Sequence, residues 1–488
     1  MNIRKLSGFS FPSSCYFPRM EEVRLFDTAT RAVKPLTAGD GKELKFYACG
    51  PTVYGPAHIG NFRSFVVQDL LVRVWEAAGG KVRHVRNLTD VDDKTIKGAR
   101  DAKQKLGEFT QGWTDRFHRD GEALGLKKPA KEPRATEFIP KQIALVERLV
   151  KAGHAYESGG SVYYRVKSFT NYGKLSRLDE RELKEGASGR ADADEYAREQ
   201  AADFVLWKGH KPEDGEVGWE SPWGKGRPGW HLECSAMAME LLGETIDLHG
   251  GGADLIFPHH ENEIAQSEAA SGKAFVRHWF HVSHLLVENR KMSKSLGNLY
   301  TLEDVAKRGY EPADLRLVLL SGHYRQPLNF SWDTMQAARH GREKLGRVHA
   351  GLTETAARQK AGKAGWGSFG TAWEALRDDL ETPKALGALY TAAAEVDRKR
   401  RQGMKAEEAA EELAALDRIL GVLGVGPYFE QDVEIPAEVR KLAEAREAAR
   451  KAKEWKESDR LRDELAKAGW EVRDGAGGWR LVRKAGVA

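Results

Sequence analysis

Three cysteines in 488 residues, Cys15, Cys49 and Cys234, are too few and too scattered for a disulfide framework, and an odd number leaves one unpaired. A reducing compartment suits them better. Long apolar runs are missing as well: no stretch approaches the roughly 20 residues that a bilayer span requires, so no membrane partner is expected. Nor is there a large excess of either charge. The 77 Lys and Arg face 72 Asp and Glu, a net charge of +5, which permits a polyanionic partner without demanding one. Residues 1–19 contain no acid, three basic residues and several serines, but no apolar core of a secretory signal. They read as an unstructured extension, with a short organelle-targeting peptide as the alternative. Internal repeats are not evident. What remains, 41% hydrophobic and 31% charged, is an ordinary globular composition, long enough for several domains.

The chain is organised around Phe46 to Asn61, FYACGPTVYGPAHIGN. A β-prone run ends in a loop with two prolines and three glycines, and an amphipathic run follows from Phe62 to Ala78, so strand, loop and helix are expected in that order. Such a helix turns its free N–H groups and positive dipole end toward the carboxyl edge of the strand, where an open α/β sheet binds phosphate. Upstream, strands near Val23–Phe26 and Leu44–Phe46 with the Asp40-Gly41 turn signal predict a hairpin. Downstream, Lys81–Asn87 is a further strand. Alternating strands and helices predict an α/β fold with a parallel sheet. Tyr156–Val166 reads as a hairpin, within a loop-rich insertion that includes DFVLWK and WESPWGKGRPGW. The sheet resumes with a helix around Cys234, a strand Glu244–Leu248, the triplet Gly250–Gly252 and a strand His281–Val287. Short helices fill 301–335, a helical bundle 336–425, and two charged helices with a hairpin at Gly475–Gly478 close the chain. In Arg440–Arg462 basic residues outnumber acids; pattern alone favours a solvated helix with internal ion pairs.

HIGN at His58–Asn61 resembles the HIGH element of class I aminoacyl-tRNA synthetases, with Asn61 in place of the second histidine. Its partner element stands at Lys291–Ser295, KMSKS. Cys49, the WHLECSAM run holding Cys234, and FPHHENE at Phe257–Glu263 closely resemble cysteinyl-tRNA synthetases, and MEEVRLFDTATR from Met20 resembles the usual beginning of that family, which makes an upstream start another reading of residues 1–19. The resemblance spans about 21–488. It implies a Rossmann-like catalytic domain in two halves (21–130 and 225–300) around a connective insertion (131–224), after an extension (1–20). A stem-contact segment (301–335), a helical bundle (336–425) that holds the family's DLETP motif at Asp379–Pro383, and a small anticodon-contacting domain (426–488) follow.

A histidine and a glutamate four apart can project from one helix face toward a single ion. Two thiolates with one imidazole favour zinc. By spacing, His260 or Glu261 would serve equally; the resemblance assigns Cys49, Cys234, His259 and Glu263. It also places Thr89, Trp230 and His249 in a cysteine pocket, although each by itself reads as a loop or core residue. The chemical reason for a metal is discrimination: shape separates near-isosteres by only about 10 to 200-fold. Zinc favours a thiolate at about 2.3 Å and ionises a bound thiol far more readily than an alcohol. An open coordination position for the substrate sulfur is therefore expected, with no editing domain.

ATP activation needs no covalent enzyme residue, because a carboxylate is already a nucleophile. Positioning and charge neutralisation on the phosphates suffice. His58 and Asn61 at the helix start, and Lys291 and Lys294 on the mobile-looking KMSKS loop, are the candidates for catalysis and ATP binding, with Mg2+ accompanying ATP. The resemblance implies a cysteine-tRNA ligase acting on L-cysteine, ATP and tRNA(Cys), one Zn2+ per chain, a monomer, in the cytoplasm. Two rivals share parts of this pattern. A ligase passing the same adenylate to an amino sugar would share the core, but the roughly 60 residues after the bundle argue for tRNA. A non-catalytic RNA-binding paralogue is opposed by the intact His58, Lys291, Lys294 and metal positions.

Overall fold

Apart from Lys45 the run Leu44–Ala48 is apolar, and Phe46, Tyr47 and Ala48 are buried on both faces, as in a central strand of a parallel sheet. In the computed structural model it is that strand. The structure describes residues 20–177, 203–293, 296–357, 359, 361–362, 365–425, 436–475 and 478–483. The sheet consists of β1 (Leu44–Ala48), β2 (Val82–Arg86), β3 (Leu248–Gly252) and β4 (Trp279–Val282), in the order β4-β3-β1-β2 and parallel throughout. Helix α1 (Ile59–Ala77) links β1 to β2. Because successive strand residues face opposite ways, Phe46 and Ala48 join the α1 side with Phe62, Val66 and Leu70. Tyr47 and Cys49 instead join Cys234, Met237 and Ala238 of α2 (Trp230–Leu242). Strand order reverses between β1 and β3, and the carboxyl ends at such a switch point are where open α/β sheets bind ligands.

Four local expectations are corrected. Helix α1 starts at Ile59, because His58 caps it. Leu44–Ala48 is not half of a hairpin: Arg24–Asp27 pairs antiparallel with Ala32–Pro35 instead. Asp40-Gly41 still turns the chain, with the Asp40 carboxylate accepting from the Lys42 and Glu43 N–H groups. The strand expected at Glu244–Leu248 lies at Leu248–Gly252, glycines included. They belong there because neighbours crowd in: a Cβ on Gly251 would stand 2.8 Å from Leu255 and 3.0 Å from the His260 ring. The run His281–Val287 divides between β4 and a separate strand Leu285–Val287, which pairs with Leu328–Phe330 and with Arg290–Lys291.

Between β2 and α2 the chain forms a four-stranded antiparallel meander, Ala155–Ser158, Ser161–Tyr164, Phe204–Gly209 and Gly226–Pro228, whose last strand lies just past the insertion expected at 131–224; the loops expected at 178–202 fall outside the described residues. Beyond the sheet come helices Leu302–Lys307, Pro312–Leu320, Trp332–Ala356, Gly370–Arg377, Thr382–Arg401 and Ala406–Leu423. The chain divides into two units between residues 426 and 427. The second holds helices Ala437–Lys451 and Trp455–Lys467 and the hairpin Trp470–Gly475/Gly478–Arg483, packed around Val439, Ala443, Leu465, Trp470, Val472 and Leu481. Its basic run carries internal ion pairs, such as Arg460 with Glu457 at 2.6 Å. No described helix is long and apolar enough to cross a membrane.

Candidate active site and metal centre

His58 and Asn61 are bound to each other. The Asn61 N–H donates to His58 Nδ1 (3.2 Å), and the His58 N–H donates to Asn61 Oδ1 (3.1 Å), a reciprocal cap on α1. With Nδ1 accepting, the network assigns the ring proton to Nε2. Burial lowers the His58 pKa although Asp254 opposes it, so the ring is a neutral donor near pH 7. Asn61 performs its capping with the carbonyl and keeps its NH2 group for donation.

The KMSKS loop sits against this cap. Lys291 is exposed at the end of the strand Arg290–Lys291, and its carbonyl accepts from Asn298 Nδ2 (3.2 Å), while Asn298 Oδ1 accepts from the Ser293 N–H (2.9 Å). Lys294 lies outside the described residues. The contact that joins the motifs is Met292 on Gly60: a Cβ at position 60 would stand 2.9 Å from the Met292 sulfur and 3.0 Å from His58 Nδ1. The Ile59 N–H also donates to the Tyr300 carbonyl (2.9 Å) just beyond the loop. Gly60→Ala must shift the loop or the cap, and a displacement near 1 Å costs about 100-fold in rate. Pyrophosphate exchange is expected to fall by about that factor while the unfolding midpoint changes little.

Arg63, in the first turn of α1, was not singled out by the sequence, where it is one charge in an amphipathic run. It is 1% exposed and donates to the carbonyls of His284, His323 and Gln326, and burial lowers its pKa to about 10. It ties the helix start to the strand leading into KMSKS and to the segment after residue 320.

On the opposite face of the sheet, Cys49 follows β1 and Cys234 sits in the first half of α2, their sulfurs 3.9 Å apart. His259 lies in a wide turn before helix α3 (Glu261–Ser271), not on the helix as expected, yet its Nε2 reaches Glu263 Oε1 at 3.0 Å. The ligand atoms of Cys49, Cys234, His259 and Glu263 all lie within 4.8 Å of one another, and all four residues are buried. Cys49, His249, His260 and Glu263 meet the same limit, so geometry leaves both histidines of HHENE beside the centre. The two sulfurs suit a zinc-sized cation: arms of about 2.3 Å at an angle of about 110° imply an S···S separation of about 3.8 Å. Electrostatics agree. Hydrogen bonding with Cys49 draws the Cys234 thiol down to about 6 against its burial, while burial and Cys234 push Cys49 well up, so the pair shares one proton. Burial would raise Glu263, but His249 and His259 hold it at about 2. Burial would lower His259, but Glu263 and Cys234 lift it to about 10. A buried thiolate and carboxylate balanced by a single imidazolium make a site for a cation.

Two of the donors, His259 and Glu263, have a further histidine partner. His231 Nδ1 meets His259 Nδ1 at 3.0 Å, and His249 Nε2 meets Glu263 Oε2 at 2.9 Å. Such partners fix the orientation of metal ligands. His231 was missed because an adjacent Trp-His pair carries no spacing signal. Trp230 places its ring 4.5 Å from that of His259, and Thr89 donates to Glu233 Oε2 (2.8 Å). Burial, and the neighbouring Cys234, push the Glu233 carboxyl well above the usual carboxylate range. Among the described residues, Glu233 Oε1 and His249 Nδ1 have no partner. Of the expected pocket residues, Trp230 and His249 touch cluster donors, whereas Thr89 reaches only Glu233, the residue before Cys234.

The sheet order, capped helix and KMSKS loop define a class I aminoacyl-tRNA synthetase core, and residues 35–340 match the family described as tRNA synthetases class I (C) catalytic domain. The DALR domain matches 373–425, and the cysteinyl-tRNA ligase anticodon binding domain matches 432–480. The chain belongs to the cysteine–tRNA ligase family. It is 50% identical to the cysteine–tRNA ligase of Opitutus terrae over 94% of this chain and 98% of that one, and 45% identical to that of Chlamydia muridarum over 90% and 95%. Among solved structures, its fold resembles Mycobacterium tuberculosis methionyl-tRNA synthetase in complex with methionyl-adenylate (TM-score 0.55, 16% identity, 78% of this chain and 89% of that one). It also resembles the LeuRS of an Agrobacterium radiobacter K84 ternary complex with tRNA (TM-score 0.57, 12% identity, 78% and 84%).

Proposed function

We propose that this ligase selects cysteine through one zinc ion held by Cys49, Cys234, His259 and Glu263. The observation that carries the reading is that four-donor cluster, buried at the switch point of the sheet whose other face packs against the capped helix. The reaction joins L-cysteine to tRNA(Cys). The substrate carboxylate forms a bond to the α-phosphorus of ATP as the bond to pyrophosphate breaks; the 2′-hydroxyl of the terminal ribose then takes the cysteinyl group and AMP leaves. Zinc supplies a thiolate-accepting position that an alcohol satisfies poorly. Around it Trp230, Thr89 and His249 bound the amino acid. His58 Nε2–H and the Asn61 amide donate to phosphate oxygens, aided by the positive end of α1. Lys291 and Lys294 neutralise charge that develops as pyrophosphate departs, and Mg2+ enters with ATP.

The helical bundle assigned to 336–425 and the small domain assigned to 426–488 would carry the anticodon side of the tRNA. A cleft of about 520 Å³ whose lining includes Lys344, Arg347, Arg398 and Arg401, against the single acid Asp397 that pairs with Arg401, supports RNA backbone contact there. We assign the remaining segments as expected from sequence, and a monomer acting in the cytoplasm. The zinc-loaded chain is expected to exchange pyrophosphate with ATP only when cysteine is present, without tRNA, and then to charge tRNA(Cys). Exchange supported equally by serine overturns the reading.

A further inference from the structure

His260 is the second histidine of HHENE, and the cation site can be drawn with or without it. Its Nε2 lies 3.4 Å from the Cys49 sulfur, its Nδ1 lies 2.7 Å from His281 Nε2, and His281 Nδ1 lies 2.7 Å from the Thr28 hydroxyl. All four residues are buried. The sheet register builds this row. Ala48, just before Cys49, pairs with Gly250, and Gly251 pairs with His281. Gly251 carries no side chain, and the His260 ring fills that space, 3.0 Å from where a Cβ would stand. The ring therefore bridges Cys49 and His281 across a gap that only glycine leaves open. Thr28 follows the strand Arg24–Asp27 and is fixed by its N–H bond to the Trp279 carbonyl (2.9 Å).

We propose that His260 is a positioning residue and not a ligand: it donates its Nε2–H to the Cys49 sulfur and is held to that tautomer by a relay from Thr28 through His281. The proposal rests on the zinc reading with His259 as ligand. A metal-bound Cys49 is a thiolate and only accepts, so His260 must place its single ring proton on Nε2. His260 Nδ1 then accepts from His281 Nε2–H, and His281 Nδ1 accepts from the Thr28 hydroxyl. One condition at the sulfur fixes every proton in the row. If His260 ligated the ion through Nε2, each proton would reverse: His260 Nδ1–H would donate to His281, and His281 Nδ1–H to Thr28. The donor arrangement is favoured because the donor set that excludes His260 contains both cysteines, whereas the set that includes it leaves Cys234 out. Two thiolates and a carboxylate already outweigh a divalent cation. An N–H on one sulfur draws off part of that charge and keeps the centre receptive to another thiolate.

The test is a long-range proton–nitrogen spectrum of the zinc-loaded full-length chain labelled with 15N-histidine, with zinc content measured on the same sample. Protons on Nε2 of both His260 and His281 are expected. Zinc affinity, measured by chelator competition, should fall about 10 to 100-fold in His260→Leu. It should fall by less in Thr28→Val and recover in Thr28→Ser. Protons on Nδ1 of both rings in a fully loaded sample overturn the relay while leaving the zinc centre standing, as does complete loss of zinc in a folded His260→Leu. A wild-type chain that retains no zinc overturns both. Should a variant fail to fold, the wild-type spectrum alone decides.

Discussion

Cys234→Ser is expected to abolish zinc retention and to reduce the preference for cysteine over serine to the roughly 10 to 200-fold that pocket shape provides. Cys234 belongs to a cluster in which every donor is buried, and hydrogen bonding with Cys49 holds its thiol at about 6. A serine hydroxyl at that place does not ionise, and it leaves a gap on the sulfur side of the cluster. Glu263→Gln should act in the same direction for another reason: the carboxylate answers His249 and His259 together, at 2.9 and 3.0 Å, and an uncharged amide cannot balance both. Metal analysis with pyrophosphate exchange on cysteine and serine checks both variants. Full zinc occupancy with unchanged selectivity in both would defeat the centre as drawn.

The largest effect on stability is expected away from the chemistry, at Asp69. Its carboxylate pairs with Arg73 Nε (2.7 Å) and with Arg316 Nη2, and accepts from the Lys127 N–H (2.8 Å). Arg316 is fully buried and also donates to the carbonyls of Leu423 and Leu124. The group thus ties α1 to the helices Leu106–Ala123, Pro312–Leu320 and Ala406–Leu423. Asp69→Asn leaves buried cations without their counter-ion and should cost about 3–5 kcal/mol, read as a lower midpoint in chemical denaturation. Asp69→Leu combined with Arg316→Met should recover part of that loss, because an apolar pair carries no desolvation cost. Burial opposes ionisation of Asp69, but Arg316 and Arg73 hold its pKa below the usual range. Its stabilisation is therefore complete above about pH 4, the unfolded-state value, and is lost as pH falls through the depressed native value.

Several elements were legible because their signal is local. HIGN and KMSKS are contiguous, and the helix after His58 announces itself by apolar spacing. The terminal hairpin was equally plain, and its strands pair from Trp470 with Arg483 to Gly475 with Gly478. The misplaced strands share one cause. Residues 244–248 and 281–287 read as short strands whose ends depend on which neighbour they pair with, and pairing is a tertiary choice. Gly250 and Gly251 look like loop residues until Phe46, Phe280, Leu255 and His260 are seen to press against them. Arg63, Met292 and His231 escaped notice because each acts through contacts with segments remote in the chain.

The order of residues alone determined the α/β class, the helix beside a phosphate-binding edge and the residue types from which a thiol-selecting centre can be built, since each is encoded within one short window. Only the tertiary structure decided how Cys49 and Cys234, 185 positions apart, come within 3.9 Å. It also decided that His260 faces Cys49 on one side and His281 on the other. The physical reason is that a parallel sheet juxtaposes strand ends by hydrogen-bond register, and no spacing along the chain records which ends will meet.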